Sequence, residues 1–346
     1  MRTENERLEF YTGVEELIND TRMGRHHVVI LGAGASRQAF PTGDGNGNKL
    51  PLMCDLVEIT GLDSELSKHG IDYEGKNFET IYSDLAQDSG YKELINVVQT
   101  RIWKYFSNLV LPPYPTLYDH LVLSLRDKDL IATFNWDPLL YYACWRNHEK
   151  TPLPHIAYLH GNVAVGYCVK DKTCGYIKSK CIKCGRNYTP SRLLYPIKKN
   201  YSQEASIKLE WDTLRQTLGS AYMLTIFGYS APQSDIEAIR LMKDAWLANT
   251  TGDINQVEII DTKHEDELIE NWRGFTPYHH YNITEDFYSS SIGLFPRRTC
   301  EAEWRYSMPK EPVFYPPNPI PKSLGFEELW QWYTPLIDIE NKKAQT

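Results

Sequence analysis

Five short apolar segments, each ending at a glycine or a polar turn, constrain the fold of this chain more than any other feature. The clearest is 28–31, Val-Val-Ile-Leu, a continuous apolar run of the kind found in parallel strands that are buried on both faces. The other four segments are 129–137, 156–161, 221–230 and 255–262. Helical patterns separate them, which predicts an α/β fold in which a parallel sheet carries helices on both faces.

A glycine-rich turn follows the first predicted strand and is suited to holding a phosphate. Gly32 and Gly34 lie in the sequence Gly-Ala-Gly-Ala-Ser, directly before a predicted helix. Glycines allow backbone N–H groups to approach a phosphate closely, and the helix N-terminus adds about half a positive charge. Arg37 occupies the third glycine position of the G-x-G-x-x-G fingerprint, so a tight turn without a ligand remains the alternative. The glycine-rich segment 41–49 is either a lid over this turn or a plain surface loop.

Polar residues follow the other predicted strands as well. Ligands of a parallel α/β sheet bind at the carboxyl ends of its strands, so these residues are expected to share one site. They are Thr133, Asn135 and Asp137 after the second strand, His160 and Gly161 after the third, Gly228, Tyr229 and Ser230 after the fourth, and Asp261 after the fifth. A carboxylate at a strand end suits a ribose diol. The alternative is structural, because Asn and Asp are common turn residues.

The length of 346 residues corresponds to roughly two domains, or to one large α/β domain with insertions. The predicted parts are an N-terminal helix in 1–24, a sheet domain formed by 25–60 and 128–265, a helical insertion at 61–127, a cysteine module at 164–200, and an aromatic, proline-rich segment at 266–346. We expect the last segment to serve packing or assembly. Residues 50–60 are also predicted to be helical.

Charge and hydropathy exclude several classes of protein. The net charge of −8 comes from 37 Lys and Arg against 45 Asp and Glu, which argues against a general nucleic-acid-binding surface. The N-terminus is charged from its second residue and lacks the apolar core of a secretory signal. No segment approaches the roughly 18 apolar residues that a membrane span needs. We therefore expect a cytoplasmic protein without a membrane partner.

Four of the seven cysteines lie close together in the sequence. They are Cys168, Cys174, Cys181 and Cys184, with the spacing C-x5-C-x6-C-x2-C. Four thiolates suit a tetrahedral structural zinc, although only the last pair has the usual C-x2-C spacing. Free thiols are the main alternative. The segment from Cys168 to Lys199 carries a net charge of +8, either as the solvated surface of a small module or as a docking patch for nucleic acid or an acidic partner.

The order of these motifs resembles that of the sirtuin family. The shared elements are Gly-Ala-Gly-Ala-Ser, then T-x-N-x-D, then Leu-His-Gly, then the four cysteines, then Gly-Tyr-Ser, then a strand with a polar end. The resemblance covers roughly residues 25–265 and implies a Rossmann-like NAD-binding domain with a small zinc module. It also implies how the residues act. The turn residues Gly32, Ala33, Gly34 and Ser36, with Ser230, would contact the phosphates, and Asp261 would lie near the adenosine ribose.

The resemblance implies a catalytic role for three residues. Asn135 would contact the nicotinamide-side ribose and order the attacking group, Asp137 would hold the nicotinamide carboxamide, and His160 would be the general base. Thr133 and Gly228 belong to the same motifs and are expected to help bind NAD+. Trp136 would either wall the nicotinamide pocket or pack in the core.

Two departures from the sirtuin pattern bear on the reaction. Protein deacylases of the family follow the glycine turn with G-I-P-x-F-R, whereas this chain has Ala-Phe-Pro-Thr-Gly-Asp without a Phe-Arg pair. The Thr-Asn-Asp segment reads Thr-Phe-Asn-Trp-Asp where deacylases usually have Gln and Ile. These features resemble divergent bacterial sirtuin-like proteins, many of which are NAD-consuming effectors of antiviral defence. The resemblance therefore implies an NAD+ glycohydrolase, restrained by a regulatory partner or a homo-oligomer until it is triggered.

Two alternatives remain open at the level of sequence. If an acyl-lysine carbonyl rather than water attacks C1′ of the ribose, the enzyme is an NAD-dependent protein deacylase. A chain that binds NAD+ or ADP-ribose without chemistry would be a sensing regulatory subunit. The missing Phe-Arg pair argues against the deacylase. The pairing of Asn135 with His160 argues against the sensor, because binding alone needs no base.

Overall fold

The computed structural model describes residues 12–197, 201, 204–232, 235–249, 256–272, 281–308 and 312–344. Within these residues the chain has nine strands, which are β1 His26–Leu31, β2 Leu130–Thr133, β3 His155–Tyr158, β4 Val165–Cys168, β5 Thr173–Tyr176, β6 Thr189–Pro190, β7 Ala221–Phe227, β8 Gln256–Ile260 and β9 Tyr281–Thr284. The helices described are α1 Val14–Asn19, α2 Ala33–Ala39, α3 Leu56–Ile59, α4 Asp63–Lys68, α5 Phe78–Gln87, α6 Lys92–Ser107, α7 Leu117–Leu123, α8 Leu139–Asn147, α9 Ala205–Leu218, α10 Ile236–Leu247, α11 Glu265–Trp272, α12 Ser291–Leu294, α13 Thr299–Tyr306 and α14 Phe326–Ala344.

Six strands form one parallel sheet in the order β3-β2-β1-β7-β8-β9. This is the doubly wound order, in which two sets of three strands run outward from a central pair, here β1 and β7. The strand order reverses between these two strands, and a crevice opens at their carboxyl ends. The predicted parallel α/β sheet is confirmed. A sixth strand, β9, lies in the segment 266–346, where no strand was predicted.

Both faces of the sheet are buried, and alternate residues of β1 belong to different cores. Val29 and Leu31 pack in a core with α2, α5, α6, α7, α8 and α14. Val28 and Ile30 face the opposite way and pack with α9, α10 and α11. Successive side chains of a strand point to opposite faces, so a continuous apolar run is needed to serve two cores. This is why residues 28–31 have no polar alternation.

The predicted helical insertion forms α4 to α7. Leu94, Val98 and Ile102 are the buried residues at i, i+4 and i+8 of α6, the spacing of a helix with one apolar face. A capping box between Thr116 and Asp119 starts α7. It satisfies two backbone N–H groups that would otherwise lack acceptors.

The prediction for residues 50–60 is only partly met. The helix there is limited to Leu56–Ile59, because the Asp55 carboxylate accepts the Leu52 N–H at 2.7 Å and fixes a turn before it. The N-terminal helix predicted in 1–24 is described from residue 12 onward, and there it covers Val14–Asn19.

The segment 41–49 is folded around one buried carboxylate. Asp44 Oδ1 accepts the N–H groups of Asn46 and Asn48 at 2.9 and 2.8 Å. Its Oδ2 accepts the N–H of Val110 at 2.9 Å. These bonds tie the segment to the loop after α6. A cavity opens at the carboxyl ends of the strands, and none of the residues 41–49 lines it. The structure therefore supports a packed surface loop at this position.

Buried ion pairs hold the C-terminal helices to one another and to the loop before β2. Arg297 and Arg298 both bind the Glu340 carboxylate of α14, and Arg126 pairs with Glu301 of α13 at 2.9 Å. Buried charges of this kind are stable only when they are paired. The described part of 266–346 thus packs on the sheet domain, where Phe287 and Leu329 share a core with Val29 of β1. Among the described residues, no helix is both long and apolar enough to cross a lipid bilayer.

Candidate functional site

A cavity of about 460 Å³ opens at the carboxyl ends of the strands, beside the central pair β1 and β7. This volume lies in the range of small-molecule sites. All the predicted catalytic and cofactor-binding residues except Thr133 line it, namely Gly32, Ala33, Gly34, Ser36, Asn135, Asp137, His160, Gly228, Ser230 and Asp261. Thr133 lies beneath the cavity, where its hydroxyl accepts the N–H of Asn135 at 3.0 Å.

Glycines allow the turns after β1 and β7 to touch. The Gly34 N–H donates to the Gly228 carbonyl at 3.0 Å. A Cβ at Gly34 would lie 2.8 Å from the Gly228 Cα, and one at Gly32 would lie 2.4 Å from the Gly228 oxygen. Gly228 also has a φ of +60°, which side chains disfavour. These glycines are therefore required by the contact of two backbone turns, whatever ligand the turns hold.

The N–H groups of the glycine turn differ in what they can offer a ligand. The Gly32 N–H donates to the Phe227 carbonyl, the Gly34 N–H to Gly228, and the Ala35 N–H to the Gly32 carbonyl, each at 3.0 Å. The predicted phosphate cradle therefore rests mainly on Ala33, whose N–H has no such bond to the described residues at the first position of α2.

A buried hydrogen-bond network fixes the Asn135 side chain. Its Nδ2 donates to the Gly32 carbonyl at 2.8 Å and to the Ser36 hydroxyl at 2.9 Å. Ser36 Oγ in turn donates to Asp137 Oδ2 at 2.7 Å and lies 2.6 Å from the Tyr118 hydroxyl. Because the amide nitrogen is engaged inside the protein, the oxygen Oδ1 is the atom of Asn135 that can meet a ligand.

The carboxylate in this network lies in an apolar environment. Burial raises the pKa of Asp137, while hydrogen bonds from Ser36 and from the Leu139 N–H oppose that rise. Burial likewise raises the pKa of Tyr118, and the Asp137 charge adds to the rise. Tyr118 comes from α7 in the helical insertion and was not predicted as a site residue. Its sequence surroundings are apolar, and they indicate only a core position.

His160 lies in a cage of aromatic rings. Phe134 meets it edge-on with ring centroids 4.7 Å apart, and Tyr201 is stacked at 5.8 Å. The Tyr201 hydroxyl lies 3.1 Å from His160 Nε2. Phe134 in turn stacks on Tyr229 at 4.1 Å. His160 is 5% exposed, so the orientation of the imidazole is set by packing as well as by hydrogen bonds.

A second carboxylate, Asp235, faces the imidazole. Its Oδ1 lies 3.8 Å from His160 Nε2, and its Oδ2 accepts the Tyr229 hydroxyl at 3.0 Å. Asp235 is 3% exposed and also lines the cavity. The sequence analysis did not single it out. The only signal was an aspartate in the turn after a strand, which has many structural explanations.

Two further lining residues, Trp136 and Asp261, bear on the predictions. Trp136 packs against Phe106 and Tyr195, as a core residue would. It also lines the cavity, and its indole N–H has no acceptor among the described residues. Asp261 ends β8, and its Oδ1 accepts the Lys263 N–H at 3.0 Å, which leaves Oδ2 to face a ligand.

The cysteine module is a three-stranded antiparallel sheet in the order β5-β4-β6. Cys168, Cys181 and Cys184 come together with Asp171, and their ligand atoms all lie within 4.8 Å of one another. This group could hold a metal ion. Cys174 is not part of it, because its thiol donates to Glu210 Oε1 at 3.0 Å instead. The structure therefore brings together three of the four predicted ligands.

Comparisons with known proteins complete the description. No family model and no curated protein matches the chain. Solved Sir2 structures are similar to it, and a Sir2 homolog–NAD complex is 14% identical with a TM-score of 0.38, covering 86% of this chain and 93% of that chain. A structure described as the structural basis for the mechanism and regulation of Sir2 enzymes is 16% identical with a TM-score of 0.39, covering 87% and 97%.

A Sir2 homologue mutant in complex with ADP ribose is 14% identical to the chain, with a TM-score of 0.40 and coverage of 84% of this chain and 98% of that one. The order of motifs in the sequence resembles that of the same family. Because both the identities and the TM-scores are low, these likenesses carry no argument about activity. The proposed activity therefore rests on the residues that line the cavity.

Proposed function

We propose that this chain is an NAD+ glycohydrolase, which uses water to cleave the nicotinamide–ribose bond and releases nicotinamide, ADP-ribose and a proton. One observation carries the proposal. The Asn135 amide and the His160 imidazole line one cavity at the point where the strand order of a doubly wound sheet reverses. Nucleotides bind at such points, and a base beside the reacting sugar is needed for hydrolysis rather than for binding.

The two ends of NAD+ are assigned by the chemistry of the cavity wall. Ala33 offers its backbone N–H to the pyrophosphate at the first position of α2, and the glycines beside it allow the phosphate to approach closely. Asp261, at the end of β8, suits the adenosine ribose diol. Asn135, Trp136 and Asp137 lie at the end of β2 and receive the nicotinamide half. Trp136 lines the cavity there, and its ring forms part of the wall of the nicotinamide pocket.

Departure of nicotinamide leaves positive charge on the ribose, in an oxocarbenium-like transition state. Asn135 Oδ1 can accept a hydrogen bond from water and hold it against C1′, since its Nδ2 is fixed by Gly32 and Ser36. The adjacent Asp137 carboxylate stabilises positive charge when ionised. Holding the reactants in place in this way removes much of the entropic barrier.

His160 accepts the proton that the attacking water, or a ribose hydroxyl, gives up. Asp235 lies 3.8 Å from Nε2 and would stabilise the imidazolium that forms, while Tyr201 and Phe134 hold the ring. We therefore assign Asp235 as a positioning residue for His160. General base catalysis of this kind is typically worth about 10² to 10⁴ in rate.

We further propose that the reaction serves bacterial antiviral defence by depleting NAD+ when triggered. An unrestrained enzyme would harm its own cell, so a regulatory partner or a homo-oligomer is expected to restrain it. None of the seven cysteines, all of them among the described residues, forms a disulfide, which suits a reducing, cytoplasmic location. The test is expression in bacteria challenged with phage. NAD+ should fall after infection with the wild-type chain and stay constant with Asn135→Ala, and equal NAD+ levels in both would contradict the role.

The reaction itself is tested by incubating the purified chain with NAD+, alone and with an acetylated peptide, and resolving the products by mass spectrometry. We expect ADP-ribose without peptide, and loss of at least about 100-fold in rate in Asn135→Ala and His160→Ala. O-acetyl-ADP-ribose formed only with peptide would replace hydrolysis by deacylation. If the chain binds NAD+ but does not cleave it, even when lysate of infected cells is added as a source of the trigger, the chain is a sensing subunit rather than an enzyme.

Binding can be followed separately through Cys54, an exposed thiol that lines the cavity. NAD+ should slow alkylation of Cys54 in the wild-type chain and in the two inactive variants. Cys174 lies outside the cavity and serves as an internal reference. Its alkylation is slow, because burial and the Glu210 carboxylate raise the pKa of its thiol, and NAD+ should leave that rate unchanged. Equal rates for Cys54 with and without NAD+ would contradict the assignment of the cavity.

A further inference from the structure

We propose that the cysteine module holds one zinc ion through Cys168, Asp171, Cys181 and Cys184, with Asp171 in place of Cys174. The inference concerns the module alone and does not depend on the proposed function. When bound, zinc supplies a structural cross-link between two loops. Three thiolates and one carboxylate form a complete tetrahedral donor set, which is typical of a structural rather than a catalytic site.

The distances between the donor atoms match a tetrahedron around zinc. Zn–S bonds of about 2.3 Å and Zn–O bonds of about 2.1 Å give edges of roughly 3.6 to 3.8 Å. Asp171 Oδ2 lies 3.5 Å from Cys168 Sγ and 3.2 Å from Cys181 Sγ. The sulfurs of Cys168 and Cys184 are 3.6 Å apart. All four donor atoms lie within 4.8 Å of one another, so the side chains surround one point and metal binding draws them together by up to about 1 Å.

Two loops of equal spacing provide these ligands. Cys168-Val-Lys-Asp171 forms the turn between β4 and β5, and Cys181-Ile-Lys-Cys184 forms the second loop. Each places two donors three residues apart, the usual spacing of one half of a zinc site. In the second loop the Gly185 N–H donates to the Cys181 carbonyl at 2.8 Å, and Gly185 has a φ of +70°. The irregular spacing of the four cysteines becomes regular once Asp171 replaces Cys174.

The pairing of β4 with β5 keeps Cys174 away from this point. Cys168 is paired with Thr173, and Tyr167 with Cys174. Paired residues share a face of the sheet and neighbours along a strand alternate, so Cys174 points away from Cys168. The hydroxyl of Thr173 lies 3.5 Å from Cys181 Sγ, which places Thr173 on the metal-binding side. Cys174 could join the site only if β5 shifted its register by one residue.

Cys174 has a different partner, which anchors the module to the sheet domain. Its thiol donates to Glu210 Oε1 of α9 at 3.0 Å. Glu210 Oε2 accepts the N–H of Tyr158 in β3 at 3.3 Å, two residues before His160. The cysteine thus links the module to the strand that leads into the cavity.

The wild-type chain, purified with zinc, gives the first test. Elemental analysis should find one zinc per chain, and X-ray absorption at the zinc edge should find three sulfurs at about 2.3 Å and one oxygen at about 2.0 to 2.2 Å. Four sulfurs would overturn the assignment of Asp171. A chain that retains no zinc and takes up none from a Zn²⁺ buffer would overturn the site itself.

Two conservative variants form a matched pair. Cys174→Ser keeps a donor for Glu210 and removes the thiolate, so zinc content and absorption spectrum should be unchanged. Asp171→Asn removes the anionic ligand, and competition with a chromogenic chelator should show zinc affinity lowered by at least about tenfold. Asp171→Cys should restore retention with four sulfurs. The proposal is overturned if Cys174→Ser loses zinc while Asp171→Asn retains it with wild-type affinity.

Discussion

The stability of the fold should depend on pH through one buried carboxylate, Glu258 in β8. Glu258 is 1% exposed. Its Oε1 accepts the Ser291 N–H at 2.8 Å, and its Oε2 accepts the Thr225 hydroxyl at 3.5 Å. Burial raises the pKa of Glu258 from 4.5 to about 7, and the neighbouring charge of Glu303 on α13 contributes to the rise. The hydrogen bonds partly oppose it.

The sign of the effect follows from which state binds the proton. Between pH 4.5 and 7 the unfolded chain has released this proton, whereas the folded chain still holds it. The free energy of unfolding therefore falls as the pH rises through this window, by roughly 3 kcal/mol in all. Glutamine has nearly the same shape and can accept from Ser291 and donate to Thr225. Glu258→Gln should match the wild type near pH 4.5 and be more stable by up to roughly 3 kcal/mol at pH 7.5.

The assay is urea unfolding at pH values from 4.5 to 7.5, read as the difference between variant and wild type. The difference is needed because other groups titrate nearby. Burial lowers the pKa of His27, which bonds the same Thr225 hydroxyl, to about 4, and this gives the opposite slope. Burial also raises the pKa of Glu303. Glu149→Gln, at an exposed position, should show no such trend. A constant difference between Glu258→Gln and wild type across the window would refute the reasoning.

Three further outcomes are expected. Gly228→Ala should lower the free energy of unfolding by more than the about 1–2 kcal/mol that a left-handed conformation costs a side chain, because the new Cβ would lie 2.2 Å from the Ala35 nitrogen. Gly47→Ala is the control, since Gly47 has a φ of +81° and its Cβ would meet no atom within 4 Å. In the same urea titration this variant measures the conformational cost alone. Equal losses would show that the two turns are not in contact. Glu340→Gln should lower the free energy of unfolding by about 3–5 kcal/mol, because it leaves Arg297 and Arg298 buried without an anion. If thermal unfolding shows a loss below about 1 kcal/mol, the size expected of an exposed ion pair, this reasoning is wrong. Removing zinc with a chelator should make the loops at 168–190 sensitive to limited proteolysis while the sheet domain resists; an unchanged cleavage pattern would argue against a structural metal.

Sequence patterns alone grouped ten of the residues that line the cavity, though they lie far apart along the chain. The residues from Gly32 to Asp261 could be grouped because each follows a predicted strand. Parallel strands bring their carboxyl ends to one edge of a sheet, so the grouping needs no knowledge of tertiary contacts. The strands themselves were recognisable because a strand buried on both faces must be apolar at every position.

Other features depend on contacts that no local pattern encodes. Tyr118 reaches the Ser36–Asn135 network from a helix of the insertion, and Asp235 reaches His160 from a turn after β7. Both approaches follow from how helices pack on the sheet. Strand β9 was missed because it lies in an aromatic, proline-rich segment without the apolar run of the other strands.

The cysteine module shows the same division within a single site. The sequence by itself indicated a metal site near residues 168–184, because four of the seven cysteines lie in this short segment. It did not determine which side chains converge. Only the pairing of β4 with β5 decided that Cys174 points away and Asp171 points in, since a strand turns successive side chains to opposite faces and the register fixes which face meets the second loop.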